Sequence, residues 1–249
     1  MIVRMLLFVL TMTTFHSMVK AQKEDSTGHA MEFAGSVNIN NNGIALVPTF
    51  SLGKPSAIIE LSVKKNRFSF IPQLRYNLKD RQPWNFIFWG RYKMIDKNKL
   101  KVSVGSFSSI VFRDGITLSN GIASESLTAS RLLIGELIPS YQFSPKVSVG
   151  LYYMFAKALD TTVNDLHLVS LNSTFSKINL TKGFLLAVKP QVYYLGIPEL
   201  EQQGLYANAG LALSKKEIPV SITSMFNKAI SSNLVAKDFV WNVGITYSF

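Results

Sequence analysis

The last twelve residues, Asp238 to Phe249, constrain this chain more than any other stretch. Their odd positions, Phe239, Trp241, Val243, Ile245, Tyr247 and Phe249, are all apolar. Their even positions, Asp238, Val240, Asn242, Gly244, Thr246 and Ser248, include one apolar residue. Successive side chains of a strand point to opposite faces, so this is a strand with one greasy and one polar side. The pattern runs into the terminal carboxylate without fraying, whereas most domains leave their final residues loosely held.

A strand of this kind needs partners of the same kind, and the chain supplies them. From Ile44 onward, alternating segments of about ten residues recur at 44–52, 55–63, 67–77, 84–94, 99–112 and 127–142. They continue at 147–158, 165–176, 182–195, 204–213, 217–226 and 237–249, twelve in all. Gly53-Lys54-Pro55, Lys64-Lys65-Asn66, Asp96-Lys97-Asn98 and Ser144-Pro145-Lys146 mark the breaks with turn residues. A strand tilted across a bilayer needs roughly 9–11 residues, and these lengths fit.

The composition agrees. Hydrophobic residues make up 47% of the chain and charged ones only 16%, against roughly 25% in soluble proteins. No apolar run is long enough for a membrane helix. The polar faces hold Ser, Thr, Asn, Gln and Gly rather than a Lys/Glu mixture, and Trp, Tyr and Phe gather near strand ends. Arg4, an apolar run from Met5 to Met12 and Val19-Lys20-Ala21 read as a secretory signal peptide over 1–21. Residues 22–43 read as a polar tail or lumenal insert, and 44–249 as the barrel. Cysteine is absent, which removes disulfides, thiolate metal sites, cysteine nucleophiles and lipoprotein anchoring.

The terminal strand closely resembles that of bacterial outer-membrane β-barrels, which ends in Phe or Trp after alternate apolar residues. The resemblance implies an all-β fold: one antiparallel transmembrane barrel of about 12 strands, closed by 237–249. It implies the outer membrane of a Gram-negative cell. It also makes Trp241, Val243, Ile245, Tyr247 and Phe249 the signal read by the barrel-assembly machinery. The Val-Lys-Ala-Gln processing site and the Asn/Lys-rich turns resemble those of Bacteroidetes members. Counting back from Phe249 puts 227–236, 196–203, 159–164 and 113–126 outside, and the shorter 214–216, 177–181, 143–146 and 95–98 on the periplasmic side.

The same count turns Arg75, Arg91, Lys93, Lys101 and Lys189 inward, opposed mainly by Glu136. Charges facing a watery lumen tune ion selectivity, so these are the lumen-facing candidates. For Lys93 and Lys101 a position on the rim beside the 95–98 turn stands equally open. Twelve strands fall between about eight, where side chains fill the interior, and about sixteen, where water does. Inward Trp89, Phe107, Tyr152 and Tyr193, or the tail 22–43, are candidates to close the bore.

Catalytic patterns are missing. No nucleophile elbow, zinc helix, phosphate loop or dinucleotide fingerprint occurs. Outer-membrane phospholipase A also resembles a twelve-stranded barrel, and its signature sets Ser two residues after His. Here Val169 holds that position, and Ser170 follows His167 by three, on the other face. Asp160 and Asp165 flank an outer loop without a third ligand for calcium. No catalytic residue, metal or cofactor is therefore assigned.

Three functions remain: a narrow pore for small solutes with a weak preference for anions, a structural or surface-interaction barrel without conductance, and a lipid hydrolase. The hydrolase needs a same-face His/Ser or acid cluster. Adhesion needs long loops, and the longest expected, 113–126, has 14 residues. The pore stands by elimination. The formal charge is +11; without the leader, 24 basic residues face 15 acidic ones, leaving +9. In an exported barrel this points to outer-membrane lipids and small anionic solutes as partners, not to nucleic acid.

Overall fold

A computed structural model describes residues 30–119, 122–160, 165–181 and 183–249. Twelve antiparallel strands, each hydrogen-bonded to its neighbours in chain order, form a closed barrel. They are β1 (Glu32–Asn40), β2 (Ser56–Lys65), β3 (Phe68–Asn77), β4 (Gln82–Lys97), β5 (Leu100–Ser119) and β6 (Ile122–Ser144). The circle continues with β7 (Val147–Ala158), β8 (Leu166–Asn179), β9 (Phe184–Ile197), β10 (Gln202–Lys215), β11 (Val220–Ser232) and β12 (Phe239–Ser248). The signal-peptide reading of 1–21 lies outside the described residues.

The strand count agrees with expectation, but one member differs. The barrel begins at Glu32, not at Ile44, and 44–52 is not a strand. The two changes are coupled, because an even strand number admits one segment or the other. Phe33, Val37 and Ile39 alternate with Ala34, Ser36 and Asn38, which gives β1 one apolar and one polar face. Pro48 lies in the middle of 44–52, where a ladder needs an N–H that proline lacks. That segment instead bends into a short 3-10 turn, Pro48–Phe50.

The β1–β12 seam closes the circle. Ser36 pairs with Ser248 and Asn40 with Gly244. Gly35 and Phe249 exchange backbone hydrogen bonds of 2.8 and 2.9 Å. Asparagines extend the seam with side-chain bonds. Asn42 Nδ2 donates to the Trp241 carbonyl and Asn242 Nδ2 to the Asn42 carbonyl, both at 3.0 Å. On the lumenal side Asn38 Nδ2 donates to Thr246 Oγ1 at 2.8 Å, and Ser56 Oγ donates to Asn40 Oδ1 at 2.9 Å. The polar run Asn40-Asn41-Asn42 thus caps the closing pair of strands.

Short connections, 66–67, 98–99, 145–146, 180–181 with 183, and 216–219, gather at the end that also holds Phe249; this is the turn end. The opposite, loop end carries 41–55, 78–81, 159–160, 165, 198–201 and 233–238. Of the expected loop 113–126, residues 113–119 and 122–126 are instead strand. β5 and β6 run on as a long hairpin, with Asp114 opposite Leu127 and Ser119 opposite Ile122.

Apolar side chains face outward all round the barrel. Leu151, Leu171, Ile222, Trp241 and Ile245 are each about half exposed or more, on the faces opposite the lumen. The apolar-out, polar-in alternation is that of a lipid-facing barrel. Trp84 shares spacing with outward Phe86 and Phe88, but the register shift between Arg75 and Tyr76 leaves it without a partner in β3. The bulge turns it inward, where it is buried and its Nε1 donates to the Phe50 carbonyl at 2.9 Å.

Residue 244 must lack a side chain for the seam to close, since a Cβ there would lie 2.6 Å from the Ile39 carbonyl oxygen. Gly244→Ala is expected to cost about 1–3 kcal/mol, as overpacking does, and to lower the temperature at which the folded band converts to the unfolded one on gels run in detergent. Gly135→Ala, whose Cβ would meet nothing within 4 Å, should leave that temperature unchanged.

Candidate lumenal site

The inward faces of the strands divide the lumen into tiers. Toward the loop end, Ile87, Ile134, Met154, Leu168, Leu195 and Tyr206 form a continuous apolar cluster. Leu168 and Leu195 have no exposed surface. Two residues from the loops join them, Val47 from the β1–β2 loop and Leu234 from the β11–β12 loop. Tyr193 and Tyr206 stack at 5.0 Å between ring centroids, and the Tyr193 hydroxyl donates to Asn227 Oδ1 at 3.2 Å. The lumen is therefore narrowed by a packed core and by the 41–55 loop, not by residues 32–40, which are wall.

That loop is held in place along its length. Gly43 N–H donates to the Lys54 carbonyl and Leu52 N–H to the Gly43 carbonyl, both at 2.8 Å. Ala45 N–H donates to Ser51 Oγ at 3.0 Å. At its outer margin Lys54 Nζ meets Asp80 Oδ2 at 2.5 Å. Hydrogen bonds from Lys54 and Asn77 hold the Asp80 carboxyl below the ordinary carboxylate range.

Beneath the apolar tier lies a polar one. Arg91 and Glu136 form a two-pronged ion pair, Arg91 Nε to Oε1 and Nη2 to Oε2, the latter at 3.1 Å. The Glu136 side chain is fully buried. Room for it comes from Gly105, where a Cβ would collide with Glu136 Oε1. The guanidinium lies over the Trp89 ring at 4.4 Å, and the other neighbour of that ring is Phe107, at 3.7 Å between centroids. Stacking and pairing together fix Arg91 in one orientation.

Beside this stack opens a cavity of about 330 Å³, lined by Leu46, Trp89, Arg91, Tyr152, Asn172 and Lys189 among others. The Trp89 Nε1 donor is buried without a hydrogen-bond partner. Gln191 Nε2 is engaged by Ser170 Oγ at 2.7 Å. Lys189 is exposed to this space and, among the described residues, makes no ion pair.

The sequence candidates thus separate by position. Arg75, Arg91, Glu136 and Lys189 face the lumen. Arg75 Nη2 donates to Gln73 Oε1 at 2.7 Å, and its guanidinium lies 5.5 Å from the Trp84 ring. Lys93 and Lys101 stand exposed on the turn-end rim, where Lys93 Nζ meets Asp96 Oδ2 at 3.3 Å and Lys101 pairs in register with Asp96. Sequence reading missed Glu60, which accepts a hydrogen bond from Gln73 Nε2 and adds a second acid to the wall. Its alternation with Ile59 and Leu61 carried the signal.

His167 and Ser170 point to opposite sides of the wall: Ser170 is buried in the lumen, while the imidazole lies among outward side chains with Nδ1 at 2.9 Å from the Tyr153 hydroxyl. They form no base–nucleophile pair. Asp160 is taken by Arg131, with Nη2–Oδ1 at 2.6 Å, and those hydrogen bonds hold its carboxyl below the ordinary range.

No family model matches the sequence, and no curated protein matches it. Solved structures do. The chain is similar to the KdgM porin with a TM-score of 0.55 at 11% identity, over 87% of this chain and 99% of that one. The KdgM porin in complex with disordered oligogalacturonate gives 0.53 at 10% identity, over 88% and 99%. The NanC porin gives 0.53 at 9% identity, over 86% and 98%. At these identities the likeness is one of fold.

Removing one partner of a buried ion pair strands the other charge, at a cost of about 3–5 kcal/mol. Arg91→Met and Glu136→Gln are each expected to destabilise the barrel, and the double variant to lose less than the sum of the two. Urea titrations in lipid vesicles check this. Additive losses would show that the pair is not coupled.

Proposed function

We propose that this chain is an outer-membrane β-barrel that admits small anionic solutes to a lumen narrowed by its own first loop. The outward apolar surface and the closed backbone ladder favour a place in lipid, because a spanning sheet must leave no backbone group unpaired. The terminal face of Trp241, Val243, Ile245, Tyr247 and Phe249 sits on the outside of the closing strand, where assembly machinery would read it.

Lys189 is the observation that carries the solute class. Arg91 is neutralised by Glu136, and Arg75, which donates to Gln73 Oε1, does not line the cavity. Lys189 alone among these brings an unpaired positive charge to the cavity, beside the Trp89 donor and the Asn172 amide. A carboxylated sugar unit or another small acid suits that set: one cation for the carboxylate, amide and indole donors for neutral oxygens. A basic lumen also agrees with the oligogalacturonate, a polyacid, found with the similar KdgM porin.

A second reading has its own support. The apolar cluster with Val47 and Leu234 fills much of the loop-end half, which favours a barrel that holds a solute from the turn end without conducting it.

Reversal potentials in planar bilayers under a salt gradient test the first reading. The full mature chain is expected to favour chloride over potassium modestly, and Lys189→Glu to abolish or reverse that preference. Cation selectivity in the unmodified barrel would refute the anion-admitting lumen. Absent conductance, with galacturonate still protecting Lys189 from amine-reactive reagent, would support the non-conducting barrel instead.

A further inference from the structure

The two ends of the barrel carry different charge. At the turn end, among the described residues, eleven basic residues stand against three acidic ones, Glu32, Asp96 and Glu217. At and beside the β2–β3 turn stand Lys64, Lys65 and Arg67, and at and beside the β4–β5 turn Lys93, Lys97, Lys99 and Lys101. Lys146 lies in the β6–β7 turn, Lys177 near the end of β8, and Lys215 and Lys216 beside the β10–β11 turn. All eleven are exposed. At the loop end acids and bases are mixed and pair with one another, Asp80 with Lys54 and Asp160 with Arg131.

Just above this basic ring, on the outward face, runs a belt of exposed aromatics. It includes Phe33, Phe68, Tyr92, Tyr141, Phe143 and Phe249, each between 42% and 59% exposed. The two features touch, since Lys215 Nζ lies 5.8 Å from the centre of the Phe184 ring. Aromatic belts mark the level of lipid headgroups, and a cation just beyond such a belt stands at the phosphates. Bases stand at all five turns of this end, leaving only the β12–β1 seam without one. A protein partner would need a patch on one side, whereas an annulus of lipid meets every strand.

We propose that the turn end is a collar for anionic glycerophospholipid headgroups, which gives the barrel a preferred leaflet. This rests on the reading of the chain as a membrane barrel. The headgroup phosphates accept hydrogen bonds from lysine and arginine donors at the turns, while the aromatic belt sits at the acyl boundary. The paired charges of the loop end offer no matching surplus.

Electron spin resonance of spin-labelled lipids tests the collar, with the full mature chain in phosphatidylcholine vesicles. At low salt, labelled phosphatidylglycerol should associate about fivefold more strongly than labelled phosphatidylcholine, roughly what one lysine contributes at an anionic surface. The preference should collapse in Lys64→Gln/Lys65→Gln/Lys97→Gln/Lys99→Gln and in high salt. It should persist in a loop-end control, Lys79→Gln/Arg81→Gln/Lys237→Gln. Equal association of the two lipids with the unmodified barrel overturns the collar alone. So does equal loss in both variants, which makes net charge the cause. Collar-dependent binding to isolated cell-wall glycan without headgroup preference assigns the ring to an acidic glycan instead. Failure to insert into any vesicle, read from heat-modified mobility, overturns the membrane reading and the collar with it.

Discussion

Closure of the backbone hydrogen-bond ladder is the constraint on which the rest depends. A sheet with apolar side chains on its outer face cannot leave an edge unpaired in lipid, where no water satisfies a bare N–H or carbonyl. Every strand therefore needs two neighbours, and the first must find the last. β1 meets β12 through Ser36–Ser248 to Asn40–Gly244, and asparagine side chains continue the bonding where the ladder ends. Once that seam exists, strand number is even, both described termini lie at one end, and faces alternate along each strand except where a bulge intervenes. The long hairpin, the loop in the lumen and the charge of each rim all follow from this frame.

Inside the frame, the lumen balances two kinds of packing. Its loop-end half is finished like the core of a soluble protein, with Leu168, Leu195, Tyr206 and Val47 out of water. Its middle is finished like a buried polar site, with Arg91 held by Glu136 and Trp89. Buried ion pairs contribute little net stability because desolvation offsets attraction, so this pair is better understood as fixing geometry. It holds a cation flat against an indole and leaves the cavity charge to Lys189. A lumen with fewer free cations than its composition implies is also one whose selectivity rests on few residues.

Much of this was legible in the sequence, and the reasons are specific. Alternation at period two in β12, β9 and β4 assigns Trp241, Val192 and Arg91 each to one face of its strand, because strand geometry alone dictates the alternation. The short turns were marked by Lys-Asn and Ser-Pro pairs. The errors came where local pattern and partner disagree. Residues 44–52 alternate well enough to pass for a strand, yet Pro48 and the need for an even circle exclude them. Trp84 reads as outward until the bulge opposite Arg75 and Tyr76 rotates it. Residues 113–126 look polar enough for a loop, but two such segments side by side satisfy each other as a ladder.

The sequence by itself determined that the chain is a β-barrel with an apolar exterior, since alternation is a property of each residue and its neighbours along the chain. It placed Arg75, Arg91, Glu136 and Lys189 on the polar faces of their strands for the same reason. Only the tertiary structure decided which of those charges are spent on one another, because Arg91 and Glu136 stand forty-five positions apart and meet only across two adjacent strand pairs. It alone decided that Lys93 and Lys101 belong to the rim, that the 41–55 loop enters the lumen, and that the lysines of separate turns become one ring. Those are relations between distant segments, and the closing of the circle brings them together.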